Sequence, residues 1–160
     1  MESLLTDYFS DILAEPDVDR VPAISEVTAF IPRLITEAQN DLLTRPVTME
    51  ELNEGLNNMA LDTAPGPDGF TTNFFKQLWD MLKEDVLQIV ESSRTRGNIL
   101  KAFNATFLTL IPKEEGADSP SLFRPISLCN VIYKISPKII ASRLKPLLLA
   151  LISPKQSGFC

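Results

Sequence analysis

Along most of the chain the apolar positions keep a helical period, and in one stretch they switch to short β-rich runs. Leu4, Leu5, Tyr8, Phe9, Ile12 and Leu13 repeat along one helix face, with Asp7, Ser10 and Asp11 on the other, which predicts a short amphipathic helix that packs through its apolar side. Pro16 to Pro22 reads as an acidic loop holding Asp17 and Asp19. Ile24 to Leu43 is helical in pattern but interrupted at Pro32. Thr48-Met49-Glu50-Glu51 is a capping box, in which hydroxyl and carboxylate satisfy amides at a helix start, and Leu52, Leu56 and Met59 mark the buried face that follows. Pro65-Gly66-Pro67-Asp68-Gly69 demands a turn, so this helix ends by Ala64. Thr71 or Thr72 then caps a helix in which Phe75, Leu78, Trp79, Leu82, Val86, Ile89 and Val90 hold the period, closing at Arg94, Arg96 and Gly97.

Between Thr106 and Leu128 two β-rich runs flank Glu114, Glu115, Gly116, Asp118, Ser119 and Pro120, the composition of a two-stranded ribbon with a longer loop. Pro112 and Pro125 lack an amide proton, so both strands are expected at an edge. With the loop centred near Asp118, Lys113 and Arg124 lie opposite one another and converge on an anion such as a polyphosphate; the competing reading is a solvated pair beside Glu114 and Glu115. Asn130 to Ile152 is helical again, and Pro137 either kinks one helix or divides two. On one helix Lys134, Lys138 and Lys145 form a basic stripe. Arg143 falls instead among Ile139, Ile140 and Leu147, where it needs a partner, either a structural carboxylate or a ligand.

Composition narrows the chemistry. At 160 residues and 44% apolar, the chain is one domain or a large piece of one, able to build a core. The absence of histidine excludes Ser/His/Asp and Cys/His triads and argues against zinc, and no metal site is visible. Cys129 and Cys160 are expected as free thiols in a reducing compartment. The net charge of -6 hides a division: residues 1–93 carry -13 and residues 94–160 carry +7, which points to an anionic partner for the second half. The N-terminus does not resemble a signal peptide, and the apolar run Leu147 to Ile152 is far too short for a membrane span. The expectation is a soluble intracellular protein, nuclear or cytoplasmic, with no membrane partner.

Ala64 to Phe70, Phe74, Phe75 and Trp79, Leu110-Ile111-Pro112-Lys113, Phe123 to Leu128, Tyr133 to Ile135, Ser142 to Leu144 and Gln156 to Phe159 occur in an order and at spacings that resemble one family. The chain resembles the reverse transcriptase of LINE-like, non-LTR retrotransposons of the plant type, from about residue 40 to the end. The resemblance implies an α+β fold, mostly helical with a projecting two-stranded antiparallel ribbon, forming the fingers and the start of the palm of a right-hand polymerase. Residues 1–45 would be an acidic helical lead-in and residues 46–160 the N-terminal part of the polymerase domain. It also implies that Lys113 and Arg124 contact the triphosphate of an incoming nucleotide, offsetting charge electrostatically. The loop Pro65, Gly66, Pro67, Asp68 and Gly69 would lie near the template, though Asp68 also reads simply as a turn former. Lys134, Lys138, Arg143 and Lys145 become candidate nucleic-acid contacts, and the partners are an RNA/DNA template-primer and a dNTP.

The complete family enzyme uses magnesium held by a strand Asp and an Asp-Asp turn beyond the Gln156 motif, and neither occurs in this sequence. The expectation is therefore a truncated polymerase fragment, binding no cofactor of its own and inactive alone. The alternative is a non-catalytic remnant that binds nucleic acid or protein. Self-association through an uncovered apolar face at Leu147 to Ile152 is a further expectation.

Overall fold

The computed structural model describes residues 2–14, 19–30, 32 and 34–152. Eight helices and two strands follow in the order α1 (Glu2–Leu13), α2 (Val21–Thr28), α3 (Glu37–Thr44), α4 (Met49–Asn57), α5 (Thr72–Gln77), α6 (Trp79–Arg96), α7 (Lys101–Asn104), β1 (Thr106–Pro112), β2 (Phe123–Cys129) and α8 (Val131–Leu151). The fold is α+β, mostly helical, with one two-stranded antiparallel sheet, as the pattern predicts. The chain divides into two compact units, Met1–Leu34 with Leu108–Ser127, and Ile35–Phe107 with Leu128–Cys160.

The second unit holds the main core. Leu52, Leu56 and Met59 of the capping-box segment, Phe75 of α5, Val86 and Val90 of α6, and Val131, Ile135 and Ile139 of α8 are buried together. The α8 positions recur every fourth residue, so one stripe of that helix meets the α4 stripe. The capping box forms as expected: Thr48 Oγ1 accepts from the Glu51 amide at 3.3 Å, and the Glu51 carboxylate accepts from the Thr48 amide at 3.1 Å. Gly97 takes φ +62° directly after Arg96, the left-handed closure that its place in the sequence implies. α3 packs on α8 and so belongs with this unit, although it lies in the segment read as a lead-in.

In the first unit, α1 lays Leu5, Phe9 and Leu13 beside Leu108 and Leu110 of β1, and Phe9 is buried. α2 buries nothing. It also corrects the acidic-loop reading: Pro22 sits in the first turn of α2, where a missing amide costs nothing, and Asp19 accepts from the Val21 amide at 3.0 Å. Residues 15–18, including Asp17, lie outside the described residues, as do Gln156, Phe159 and Cys160.

Two helix expectations change. The helix expected over Phe75 to Val90 is two, α5 and α6, divided at Leu78 (φ -102°, ψ 14°), which faces solvent while the Trp79 indole donates to Asn53 Oδ1 at 2.6 Å. The Pro137 alternatives resolve into one helix. α8 runs through both Pro137 and Pro146, each on an exposed position where water can serve the carbonyls they leave unpaired.

Candidate nucleic-acid interface

The ribbon forms, with a register slightly different from the one expected. Thr106 Oγ1 reaches Cys129 Sγ at one end, and at the other the Lys113 amide donates to the Leu122 carbonyl at 2.8 Å, so two strands of seven residues pair end to end without a bulge. Arg124 therefore lies across from Ile111, two residues further from the loop than the expected position opposite Lys113. Both prolines fall where the missing amide would have pointed away from the partner strand, which is why a two-stranded sheet, all edge, tolerates them.

Lys113 and Arg124 become diagonal neighbours on one face, with β carbons about 7–8 Å apart, a span that long side chains bridge. The Lys113 ammonium folds over the loop and donates to the Ser121 carbonyl at 2.7 Å. The Arg124 side chain is exposed and makes no hydrogen bond or ion pair among the described residues. Glu114 and Glu115 form no ion pair with either cation, so the pair is not neutralised within the ribbon.

The Pro65–Gly69 loop is a turn fixed from both sides. The Gly69 amide donates to the Gly66 carbonyl at 3.0 Å, and the Asp68 carboxylate accepts from the Phe70 amide at 3.0 Å, the turn-forming role of Asp68. Thr71, not Asp68, caps the helix that follows. What holds the turn in place is Asn130, which pattern reading treats only as the first residue of a helical segment. Its Oδ1 accepts from the Asp68 amide at 3.2 Å, and its Nδ2 donates to the Ala102 carbonyl at 3.0 Å and the Phe103 carbonyl at 3.4 Å. A β carbon on Gly66 would stand 2.3 Å from Asn130 Oδ1 and 2.4 Å from its backbone nitrogen, so only glycine fits there. An Asn after a strand and before a helix was the available signal, but local pattern does not show which carbonyls it ties.

On α8 the four candidate cations separate. Arg143 turns inward and is a structural residue: Nε and Nη2 donate to both oxygens of Glu51 at 2.8 and 2.7 Å, and the remaining N–H groups reach the carbonyls of Leu43, Arg45 and Pro46 at 2.8–3.0 Å. With every guanidinium donor used, the structural partner is the alternative realised, and Arg143 is withdrawn as a nucleic-acid contact. The Arg143 hydrogen bonds, followed by those from the Thr48 amide and Arg45, hold the Glu51 carboxyl down to about 2. Glu91 supports the same segment, accepting from the Val47 amide at 3.1 Å, and its bonds with Arg94 first of all lower its pKa.

Lys138 donates to the Asn58 carbonyl at 2.9 Å, and Lys134 loosely to the Ala64 carbonyl at 3.4 Å. Lys145, on the same arc of α8, is exposed. A lysine that sequence reading passed over joins them instead: Lys76, on α5, donates to the carbonyls of Asn57 and Met59 at 3.0 and 2.9 Å. Among the described residues no group of three His, Cys, Asp or Glu side chains is placed to hold a metal ion. What these surfaces offer is charge and hydrogen-bond donors.

Over 93% of its length the chain is 32% identical to an uncharacterised 149 kDa protein of the transposon TX1 from Xenopus laevis. Over 64% and 86% of its length it is 30% and 29% identical to the retrovirus-related Pol polyproteins of the type-1 retrotransposable element R2 from Nasonia vitripennis and Bradysia coprophila. The chain is homologous to non-LTR retrotransposon polyproteins. That bears out the resemblance carried by the motifs; plant origin is a separate matter, since these relatives come from a frog and from insects. This retrotransposon-related chain spans only 11% of the first relative's length, 9% of the second's and 14% of the third's. No protein-family model matches it. No described helix is long and apolar enough to cross a membrane.

Proposed function

We propose that this stretch is the fingers and the start of the palm of a reverse transcriptase from a non-LTR retroelement, contributing electrostatic contacts to a dNTP and a template-primer. The observation that carries the reading is the ribbon: Lys113 and Arg124 stand on one face, close enough to share a triphosphate, and no carboxylate of the described residues neutralises them. Lys113 exchanges the Ser121 carbonyl for phosphate oxygen, while the guanidinium of Arg124 donates two parallel bonds. The Pro65–Gly69 turn, rigid through Asn130, gives the template side a fixed surface.

The described residues do not fit the magnesium ions that the complete family enzyme would use, since no three acidic side chains gather. No reaction step is therefore routed through a metal here. The chain by itself is expected not to extend a primer, and extension on an RNA template with added magnesium would refute that part of the reading.

The test is fluorescence anisotropy of a labelled RNA/DNA primer-template against the chain, with and without dNTP and magnesium, for wild type, Lys113→Ala and Arg124→Ala. Salt-sensitive binding with a nucleotide effect lost in both variants supports the proposal. A nucleotide effect that survives both substitutions removes the ribbon from it. Salt-sensitive binding with no nucleotide effect in wild type favours the alternative, a non-catalytic nucleic-acid-binding remnant.

A further inference from the structure

Two lysines of the α8 stripe and one that pattern reading passed over form a second cationic site. Lys76 comes from α5 and Lys134 and Lys138 from successive turns of α8, yet all three ammoniums end on one short segment, at the carbonyls of Asn57, Asn58, Met59 and Ala64. Three of those carbonyls belong to consecutive residues at the C-terminal end of α4. The helix dipole explains why cations collect there, but one would satisfy it.

Every other ion pair of this unit joins a cation to a carboxylate: Arg45 and Arg143 to Glu51, Lys83 to Asp80, Arg94 to Glu91. The lysine trio has none. Asp62, in the same segment, and Glu54, on α4, are exposed and make no ion pair with it among the described residues. An ammonium has three N–H donors; Lys76 uses two, and Lys134 and Lys138 one each. Two half-buried cations at the end of α4 and a third on the Ala64 carbonyl beyond it, without a carboxylate partner among the described residues and with donors to spare, are arranged for an external anion.

We propose that Lys76, Lys134 and Lys138 grip the phosphodiester backbone of a nucleic-acid strand, independently of the ribbon pair. The proposal rests on the reading of the chain as a nucleic-acid-binding polymerase fragment and adds the place where a strand is held. The contact is to phosphate and carries no base specificity. Because the trio is pinned by carbonyls before the strand arrives, little side-chain freedom is lost on binding.

The experiment measures the affinity of the full chain for a labelled single-stranded RNA oligonucleotide across a salt series. Lys76→Gln, Lys134→Gln and Lys138→Gln are made singly and together, since Gln removes charge but keeps a donor for the carbonyl. Circular dichroism and thermal melting check the fold, and a Lys76→Arg/Lys134→Arg/Lys138→Arg variant restores the charge. The slope of log affinity against log salt is expected to flatten by about 0.7 for each lysine removed, about 2 for the triple Gln variant, and to return in the triple Arg variant.

A triple Gln variant that stays folded and keeps the wild-type slope overturns this proposal while leaving the polymerase reading standing. Wild-type binding that is absent or indifferent to salt overturns both. Excess nucleoside triphosphate that displaces the oligonucleotide from the trio would assign the site to a nucleotide and overturn the backbone assignment.

Discussion

Arg143→Ala should unlock the segment that anchors α3 and α4 to α8. The side chain is 9% exposed and its partner Glu51 17%, so removing the guanidinium leaves a largely buried carboxylate without its two shortest bonds and the carbonyls of Leu43, Arg45 and Pro46 without their donor. Breaking a buried pair from one side costs about 3–5 kcal/mol, and because Arg45 and the Thr48 amide still serve Glu51, a loss of about 3 kcal/mol is expected. The same bonds hold the carboxyl at about 2 against an ordinary 4.5, which corresponds to roughly 3 kcal/mol of linked stability shared among Arg143, the Thr48 amide and Arg45.

The sign follows from the depressed value. The unfolded chain binds the proton more readily, so this stabilisation is complete above pH 4.5 and is lost as pH falls from there through about 2. Urea denaturation at neutral pH, repeated at steps down to pH 2.5, measures both effects. In wild type the free energy of unfolding should drop over that range, and in Arg143→Ala most of the drop attributable to Glu51 should vanish. A loss under about 1 kcal/mol at neutral pH, or an unchanged acid dependence, would refute the assignment of Arg143 as the lock.

The turn offers a contrast between two glycines. Gly66→Ala drives a β carbon into the backbone of Asn130 and Cys129 and should lower stability by about 1–3 kcal/mol in thermal melts, whereas Gly69→Ala, at φ +76° with nothing within 4 Å, should cost only about 1–2 kcal/mol of backbone strain. Equal effects would mean that the Gly66 contact is not tight. Thr48→Ala removes one side of the capping box and should cost about 1 kcal/mol by urea titration, since α4 carries the central core stripe. Asn130→Ala should raise hydrogen exchange at the Asp68 amide above that of the Gly69 amide, because only the former donates to the side chain.

Local chemistry was legible wherever cause and effect lie within a few residues. The Thr48 box, the Gly97 closure, the Pro65–Gly69 turn, the ribbon and the α4 core stripe all depend on spacing, capping and φ preference, which sequence carries directly. The descent of the chain was legible too: the family that the ordered motifs resemble is the one to which relatives of about 30% identity belong.

Contacts across the sequence were not. The ribbon register moved by two residues because turn geometry, not the midpoint of a polar stretch, sets it. Arg143 was known to need a partner, but Glu51, 92 residues away, is identified only when α4 and α8 pack. Asn130 ties together a turn and a strand approach that are remote along the chain, so its role exists only in three dimensions. The lysine trio shows the same limit for charge. Counting along the chain assigned positive charge to the second half, yet packing sets Lys76 of the first half beside Lys134 and Lys138. The sequence by itself determined the capped helix starts, the Pro65–Gly69 turn and the two strands, because those preferences are local. Which cations meet, and whether a carboxylate or an external anion answers them, only the packing of α4, α5 and α8 decided, because electrostatic energy depends on distance in space.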